Sequence, residues 1–135
     1  MISRSFRKTS VGAVWDFTCS PKTTMRTPAR GEIWWTNDFF NPENPTRPAV
    51  VVSLSEYSQC RGDVIILPIS SKIERAKCST DCILHDWRSA GLAKPSYVKC
   101  NPLTVKSDML REFIGTLSDE DFSEVLQKLR QAVGL

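Results

Sequence analysis

Short apolar runs separated by turn-forming residues dominate the chain. Residues 31–36 have the pattern of a strand and lead into a loop rich in asparagine and proline. Two nearly continuous apolar runs follow at residues 48–54 and 64–69, and their β-branched content predicts buried strands at the centre of a sheet. We expect Pro48 to occupy the first position of its strand, and residues 61–63 to turn the chain into the next one.

The second half of the chain predicts shorter strands and one helix. Residues 82–85 and 96–100 are strand candidates separated by a turn at 91–95, and residues 113–117 form the last predicted strand. Ser118 followed by three acidic residues predicts a capped helix start, and Gly134 predicts its end. Its apolar positions recur every three or four residues: Phe122, Val125, Leu126, Leu129, Ala132 and Val133.

These elements predict the fold class. Five or six short strands with one terminal helix, and no strand–helix alternation, indicate a mainly β (α+β) protein. We expect a small, strongly curved antiparallel sheet or open barrel, with the C-terminal helix packed on it. At 135 residues the chain fits one such domain, with or without a tail.

The positive charge lies in one segment. The chain carries a formal net charge of +3, but residues 1–29 hold five basic side chains against Asp16 alone. Residues 30–135 hold 13 basic and 14 acidic side chains. A broadly basic surface that grips duplex phosphates is therefore not encoded in the folded part, and any anion site there is local.

The N-terminal segment has a different character from the rest. Residues 1–29 are rich in serine, threonine, proline and basic residues without a clear period, which predicts a flexible basic extension ahead of a domain spanning 30–135. Met25 is an alternative start, and an arm that helps to hold RNA is the other interpretation. No run approaches the roughly 18 apolar residues of a membrane span, and no secretory signal is evident, so we expect a cytoplasmic protein.

The five cysteines do not predict a disulfide framework, because their number is odd and their spacing irregular. Cys78, Cys82 and His85 resemble part of a metal site but lack a second close pair. We therefore expect free thiols, no metal and no cofactor. His85 stands in a strand pattern, which favours a structural role.

Candidate chemistry lies where polar loops meet apolar strands. Arg47 stands at the start of one strand, and its planar fork of donors suits a phosphate. Ser70 and Lys72 follow the next strand, and sequential strands usually pair, so the three residues are expected to cluster. A carboxylate from Asp38 or Glu43 would complete the group. The alternative for Arg47 is a solvated strand-end arginine.

Five segments carry a resemblance to a known family. In chain order, they are residues 30–34 (RGEIW), 46–53 (TRPAVVVS), 67–71 (LPISS), 91–98 (GLAKPSYV) and 114–120 (IGTLSDE). With these segments the chain resembles the MazF/PemK toxins of bacterial toxin–antitoxin pairs over residues 30–135.

The resemblance implies a six- or seven-stranded SH3-like barrel with a C-terminal helix, active as a homodimer. It also implies a metal-independent endoribonuclease that cuts single-stranded RNA, inhibits translation and is restrained by a cognate antitoxin. DNA binding would occur only through the complex with that antitoxin. Arg47 corresponds to the family's arginine, and Ser70 to its hydroxyl residue, which is commonly threonine.

The mechanism implied by the resemblance is attack of the ribose 2′-hydroxyl on phosphorus, giving a 2′,3′-cyclic phosphate. Arg47 would stabilise the developing charge and help to protonate the leaving oxygen, Ser70 would donate to a phosphate oxygen, and Glu43 would be the general base. The residues beside them are expected to contact the RNA: Asn37, Thr46, Ser71 and Lys72.

Two other interpretations stay open. A barrel of this kind can bind a protein instead of cutting RNA, as gyrase-poisoning toxins of similar fold do. The chain also reads Asn101-Pro102 where the family often has an acidic residue or asparagine followed by glutamine, which is the basis for a silent relative. Trp34 and Trp35 must face opposite sides of their strand, one in the core and one at the surface, a dimer interface or a base-stacking position.

Overall fold

A computed structural model of the chain describes residues 27–37 and 46–135. Residues 1–26, which include Met25 and nearly all of the predicted basic extension, lie outside the described residues. The loop of residues 38–45, which contains Asp38 and Glu43, lies outside them as well.

The described residues form seven strands, two α-helices and two short 3-10 helices. The strands are β1 (Glu32–Asn37), β2 (Thr46–Val51), β3 (Asp63–Ser70), β4 (Cys82–Ile83), β5 (Tyr97–Val98), β6 (Leu103–Lys106) and β7 (Leu110–Thr116). Helix α1 (Ser55–Arg61) joins β2 to β3, and α2 (Asp119–Val133) follows β7. The 3-10 helices span Ile73–Arg75 and Ser107–Met109. The predicted mainly β fold with a C-terminal helix is confirmed.

The strands form an antiparallel sheet in the order β4-β5-β3-β2-β1-β7, and β6 adds a further pairing to β3. No pairing among the described strands connects β7 back to β4 or β6. The sheet is therefore open rather than a closed barrel. Strands β2 and β3 lie at its centre, as their apolar runs predicted.

The central strands are buried on both faces, which explains why their sequences are almost continuously apolar. Val50 of β2 and Leu67 of β3 are register partners that face one way, whereas Val51 and Ile66 face the other. The first face packs against helix α2 through a cluster of Ile33, Val50, Val52, Leu67, Ile69, Cys82, Leu84, Ala90, Val98, Leu117 and Val125. The second face holds Trp34, Ala49, Val51, Val64, Ile66 and Leu110.

The residues around the start of β1 fix that strand to its surroundings. The Glu32 carboxylate accepts hydrogen bonds from the Ala29 amide at 2.8 Å and from Trp34 Nε1 at 3.1 Å. Arg30 Nε donates to the Val52 carbonyl at 3.1 Å, and its guanidinium lies 5.5 Å from the centroid of the Phe122 ring. These contacts connect the start of β1 to the chain at the end of β2 and to α2. Residues 30–34, the first segment that resembles the family, therefore stabilise the fold.

Helix α2 begins and ends as its sequence predicted. The Ser118 hydroxyl accepts from the Asp121 amide at 3.2 Å, and Gly134 closes the helix at a φ of 80°. Val125 is fully buried against the sheet. The expected apolar face is shorter than predicted, however, because Ala132 is exposed and Val133 is 49% exposed. The last turn extends beyond the sheet surface that covers the first three.

Asp121 is a buried carboxylate that ties α2 to the loop after β4. Its oxygens accept from the His85 amide at 3.1 Å and from the Asp86 amide at 2.8 Å. A buried carboxylate is stabilised when backbone amides donate hydrogen bonds to it, and those buried amides in turn need it as their acceptor.

Replacing Asp121 with alanine is expected to lower the free energy of unfolding by about 3 kcal/mol, because two backbone amides lose a charged acceptor. Asp119→Ala is the matched control, since Asp119 is exposed in the same first turn and contributes about 0.5 kcal/mol through the helix dipole. Urea unfolding of both variants measures the difference. Equal losses would contradict this role of Asp121.

Other local features differ from the sequence predictions. Helix α1 and strand β6 were not predicted, because α1 has few apolar residues and β6 is a short, half-exposed strand of alternating burial. Pro48 is the third residue of β2 rather than the first.

No described helix is both long and apolar enough to cross a membrane.

Candidate active site

A row of residues crosses the sheet near the ends of its strands. Arg47 of β2 pairs with Thr36 of β1, and Ser70 of β3 pairs with Tyr97 of β5. The pairing of β2 with β3 ends at Ala49 and Pro68, which lie two residues from Arg47 and from Ser70. Because side chains two residues apart on a strand share a face, Arg47 and Ser70 face the same side of the sheet, with Tyr97 beside Ser70. The structure therefore places Arg47 and Ser70 on adjacent strands and on the same face.

Ser70 is held by the chain that follows it. The Lys72 amide donates to Ser70 Oγ at 3.1 Å. The side chains of Ser71 and Lys72 are exposed immediately after β3, so the predicted lysine is next to Ser70 in sequence and accessible. A hydroxyl, a guanidinium and an ammonium group therefore lie in one region of the sheet.

Tyr97 is a member of this row that the sequence did not identify. Its side chain is only 2% exposed. Burial raises the pKa of Tyr97, and Asp81 raises it further, whereas a hydrogen bond with Ser70 and the charges of Arg47 and Arg75 oppose the shift. The phenol group therefore lies within electrostatic reach of Ser70, Arg47 and Arg75.

The loop from β3 to β4 is attached to helix α2. Within the loop, the Arg75 amide donates to the Lys72 carbonyl at 2.8 Å, forming the 3-10 turn that carries Arg75. Farther along, Lys128 Nζ donates to the Ser79 carbonyl at 2.7 Å. Arg75 therefore projects from a loop that is fixed at both its turn and its far end.

The other predicted contact residues occupy a neighbouring row. Asn37 and Thr46 pair with each other at the ends of β1 and β2. Because side chains alternate along a strand, this pair faces the side of the sheet opposite to Arg47. Glu43, the predicted general base, lies outside the described residues. The roles assigned to Asn37, Thr46, Ser71, Lys72 and Glu43 stay predictions.

Trp34 and Trp35 face opposite sides of β1, as expected. Trp34 is 6% exposed and packs edge-on against Phe113, with ring centroids 5.7 Å apart. Trp35 is 38% exposed and pairs with Pro48 and Glu112 on its two neighbouring strands. Trp34 thus belongs to the core, and Trp35 is the available surface aromatic on β1.

In the part of the chain that the structure describes, the buried cysteines and His85 add no nucleophile or base to this row. Burial raises the pKa of Cys82 to about 12 and that of Cys100 to about 11, so both thiols stay protonated at neutral pH. His85 is exposed near α2, where Nε2 lies 3.9 Å from the Glu124 carboxylate. Among residues 27–37 and 46–135, no group of three histidine, cysteine, aspartate or glutamate side chains is arranged to hold a metal ion.

Comparison with known structures identifies the fold. An endoribonuclease from a mycobacterial species superposes with a TM-score of 0.66 at 21% identity, covering 82% of this chain and 95% of that one. MazF from Deinococcus radiodurans (Form-I) gives 0.67 at 21% identity, covering 82% and 100%. The MazE–MazF structure from the same organism (Form-II) gives 0.65 at 24% identity, covering 82% and 99%. At these identities the likeness establishes a shared fold.

Comparison of the sequence itself identifies the family. A search of curated proteins found no match. The model of the family described as PemK-like, MazF-like toxins of type II toxin–antitoxin systems matches residues 29–133, which include all five segments of resemblance and every described strand. The chain therefore belongs to the PemK-like, MazF-like toxin family of type II toxin–antitoxin systems.

Proposed function

We propose that the chain is an endoribonuclease toxin that cuts single-stranded RNA without a metal ion. The observation that carries the proposal is the placement of Arg47 and Ser70 on the same face of two adjacent strands, in a chain of this family. A guanidinium and a hydroxyl donor on adjacent strands suit a phosphodiester whose oxygens gain negative charge during the reaction.

The proposed reaction is an internal transfer. The ribose 2′-oxygen bonds to the neighbouring phosphorus, and the bond from phosphorus to the 5′-oxygen breaks. Glu43 takes the 2′ proton, and the leaving 5′-oxygen takes a proton from solvent water while Arg47 donates a hydrogen bond to that oxygen. The products are a 2′,3′-cyclic phosphate and a 5′-hydroxyl end. Arg47 and Ser70 stabilise the phosphate oxygens as their charge develops.

Partners follow from the same proposal. Relatives of this fold include an endoribonuclease in complex with its cognate antitoxin from a mycobacterial species, at a TM-score of 0.65 and 20% identity. We infer that this chain also binds an antitoxin, acts as a homodimer and works in the cytoplasm, where mRNA is found. The exposed cations Lys72 and Arg75, which follow Ser70 in the chain, are the charges from which an RNA groove would be built.

Incubating the full chain with mixed-sequence single-stranded RNA in EDTA tests the proposal. We expect discrete cuts whose downstream fragments carry a 5′-hydroxyl and are therefore labelled by polynucleotide kinase without prior phosphatase treatment. A DNA strand of the same sequence lacks the 2′-hydroxyl and is the matched control, which is expected to stay intact. RNA that stays intact while expression arrests growth would overturn the proposal in favour of a protein target.

A further inference from the structure

The row that contains Ser70 and Tyr97 continues to β4, the last strand in the order of the sheet. Ser70 pairs with Tyr97, and Tyr97 in turn pairs with Ile83 of β4. Direct cross-strand partners share a face of the sheet, so Ile83 faces the same side as Ser70 and therefore as Arg47. Ile83 and Ser70 are two strand separations apart, roughly 10 Å. The face that carries the proposed cleavage site thus ends in an isoleucine.

Ile83 is half-exposed although it lies in a strand. Its side chain is 50% exposed, whereas that of Tyr97 beside it is 2% exposed, and Cys82 before it is buried in the cluster on the other face. Single exposed apolar residues are ordinary on protein surfaces, so exposure alone assigns no role. The position of Ile83 distinguishes it, because its apolar surface is open to solvent in the same row as Ser70.

The other large exposed apolar side chains of the described residues lie elsewhere. Trp35 faces the opposite side of the sheet from Arg47, because it is next in sequence to Thr36, the register partner of Arg47. The remaining ones lie before α1, in the loop after β3 and at the C-terminal end of the chain: Leu54, Ile73, Val133 and Leu135. Among the strands that the structure describes, Ile83 therefore supplies the exposed apolar surface of this face.

The charges around the row favour an anionic ligand. Burial raises the pKa of Tyr97, and Asp81 raises it further. Arg47 and Arg75 oppose that shift, so two cations and one carboxylate of the described residues act on the phenol next to Ile83. A ligand that suits this surface combines an apolar face with negative charge. A nucleotide does so, because its base has a π-face and its phosphate is anionic.

We propose that Ile83 is a binding residue for RNA: its side chain packs against the face of a base that flanks the phosphate bound by Arg47 and Ser70. The inference rests on the proposed endoribonuclease function. Bases pack on aromatic and apolar side chains through their faces, which every base has. A contact that is the same before and during the reaction lowers KM and leaves kcat unchanged.

Ile83→Ala removes most of this apolar surface. For a single-stranded RNA that the wild-type chain cuts, we expect KM to rise about fivefold, while kcat changes by less than about twofold. Ile83→Trp places an aromatic ring at the same position and is expected to lower KM about threefold. Leu54→Ala is the matched control, because Leu54 is 52% exposed and lies beyond the end of β2 that is farthest from Arg47. It is expected to cleave with wild-type kinetics.

A binding measurement tests the contact without relying on activity. A fluorescent single-stranded RNA with 2′-O-methyl riboses has no 2′-hydroxyl to attack phosphorus, and its fluorescence anisotropy gives a Kd. We expect Ile83→Trp to bind it most tightly and Ile83→Ala most weakly, and urea unfolding shows that both variants are folded. A wild-type Kd for Ile83→Ala would overturn the inference, as would an Ile83→Trp that binds no better than Ile83→Ala.

Sedimentation velocity distinguishes RNA from a second copy of the chain as the occupant of this surface. We expect Ile83→Ala to sediment like the wild type at the same concentration. A change of oligomeric state would assign Ile83 to a contact between copies and overturn the inference. Absence of cleavage by the wild-type chain would instead overturn the proposed function, on which the Kd measurement does not depend.

Discussion

Replacing Gly115 with alanine is expected to lower the free energy of unfolding by about 4 kcal/mol or more, at the severe end for a single substitution. A Cβ atom at Gly115 would lie far inside the contact distance of the Ala90 carbonyl oxygen, and only 2.8 Å from the Ala90 carbonyl carbon. These are backbone atoms that cannot rotate away. Relief would require the loop before β5 to separate from β7, and urea or thermal unfolding measures the cost.

Gly62→Ala is the control for this prediction. Gly62 has a φ of 72°, yet a Cβ atom there would meet nothing within 4 Å. Its cost is therefore limited to the backbone strain of a left-handed alanine, about 1 kcal/mol. Comparable losses at Gly62 and Gly115 would show that the loop yields easily and that the close approach contributes little to stability.

The close approach joins two of the segments that resemble the family. Gly91 lies in one segment and Gly115 in another, and a Cβ atom at Gly91 would lie 2.7 Å from the Ile114 carbonyl oxygen. The two glycines therefore serve one backbone contact. Ser118, in the same segment as Gly115, caps helix α2. In this chain, these residues of the two segments thus fit the loop, sheet and helix together.

The sequence predicted those elements that have a strong local pattern of apolar residues. The strands β1 and β3 and the helix α2 have apolar periods long enough to be read directly, and Gly134 marks the end of α2. Helix α1 has no such period, since it is stabilised by its position between two paired strands and by the left-handed Gly62 at its end. Tertiary context, which the local sequence does not contain, decides such an element.

The residues of the candidate site also differ in whether the sequence could predict them. Arg47 and Ser70 could be predicted as neighbours because β2 and β3 are consecutive strands. Tyr97 could not, because β5 pairs with β3 across an intervening loop and a two-residue strand, and a single-residue change of register would turn its side chain to the other face.

Arg47→Ala is expected to reduce kcat/KM for RNA cleavage by about 100- to 1,000-fold, the usual effect of removing a donor that stabilises developing charge. Arg47→Lys is expected to recover only part of this loss. A lysine retains the positive charge, but it cannot offer two parallel donors to a phosphate. Initial rates of cleavage of a defined single-stranded RNA in EDTA measure both effects.

Arg130→Ala provides the matched loss of a positive charge. Arg130 is exposed in the last turn of α2, a helix that packs on the face of the sheet opposite to Arg47. Its removal is expected to leave the cleavage rate within twofold of the wild type, and unfolding curves confirm that each variant is folded. If Arg47→Ala and Arg130→Ala cut RNA equally well, overall charge rather than the row of Arg47 and Ser70 would govern the reaction. The catalytic role of Arg47 would then be wrong, because a group that stabilises the reacting phosphate cannot be exchanged for one on the far side of the sheet.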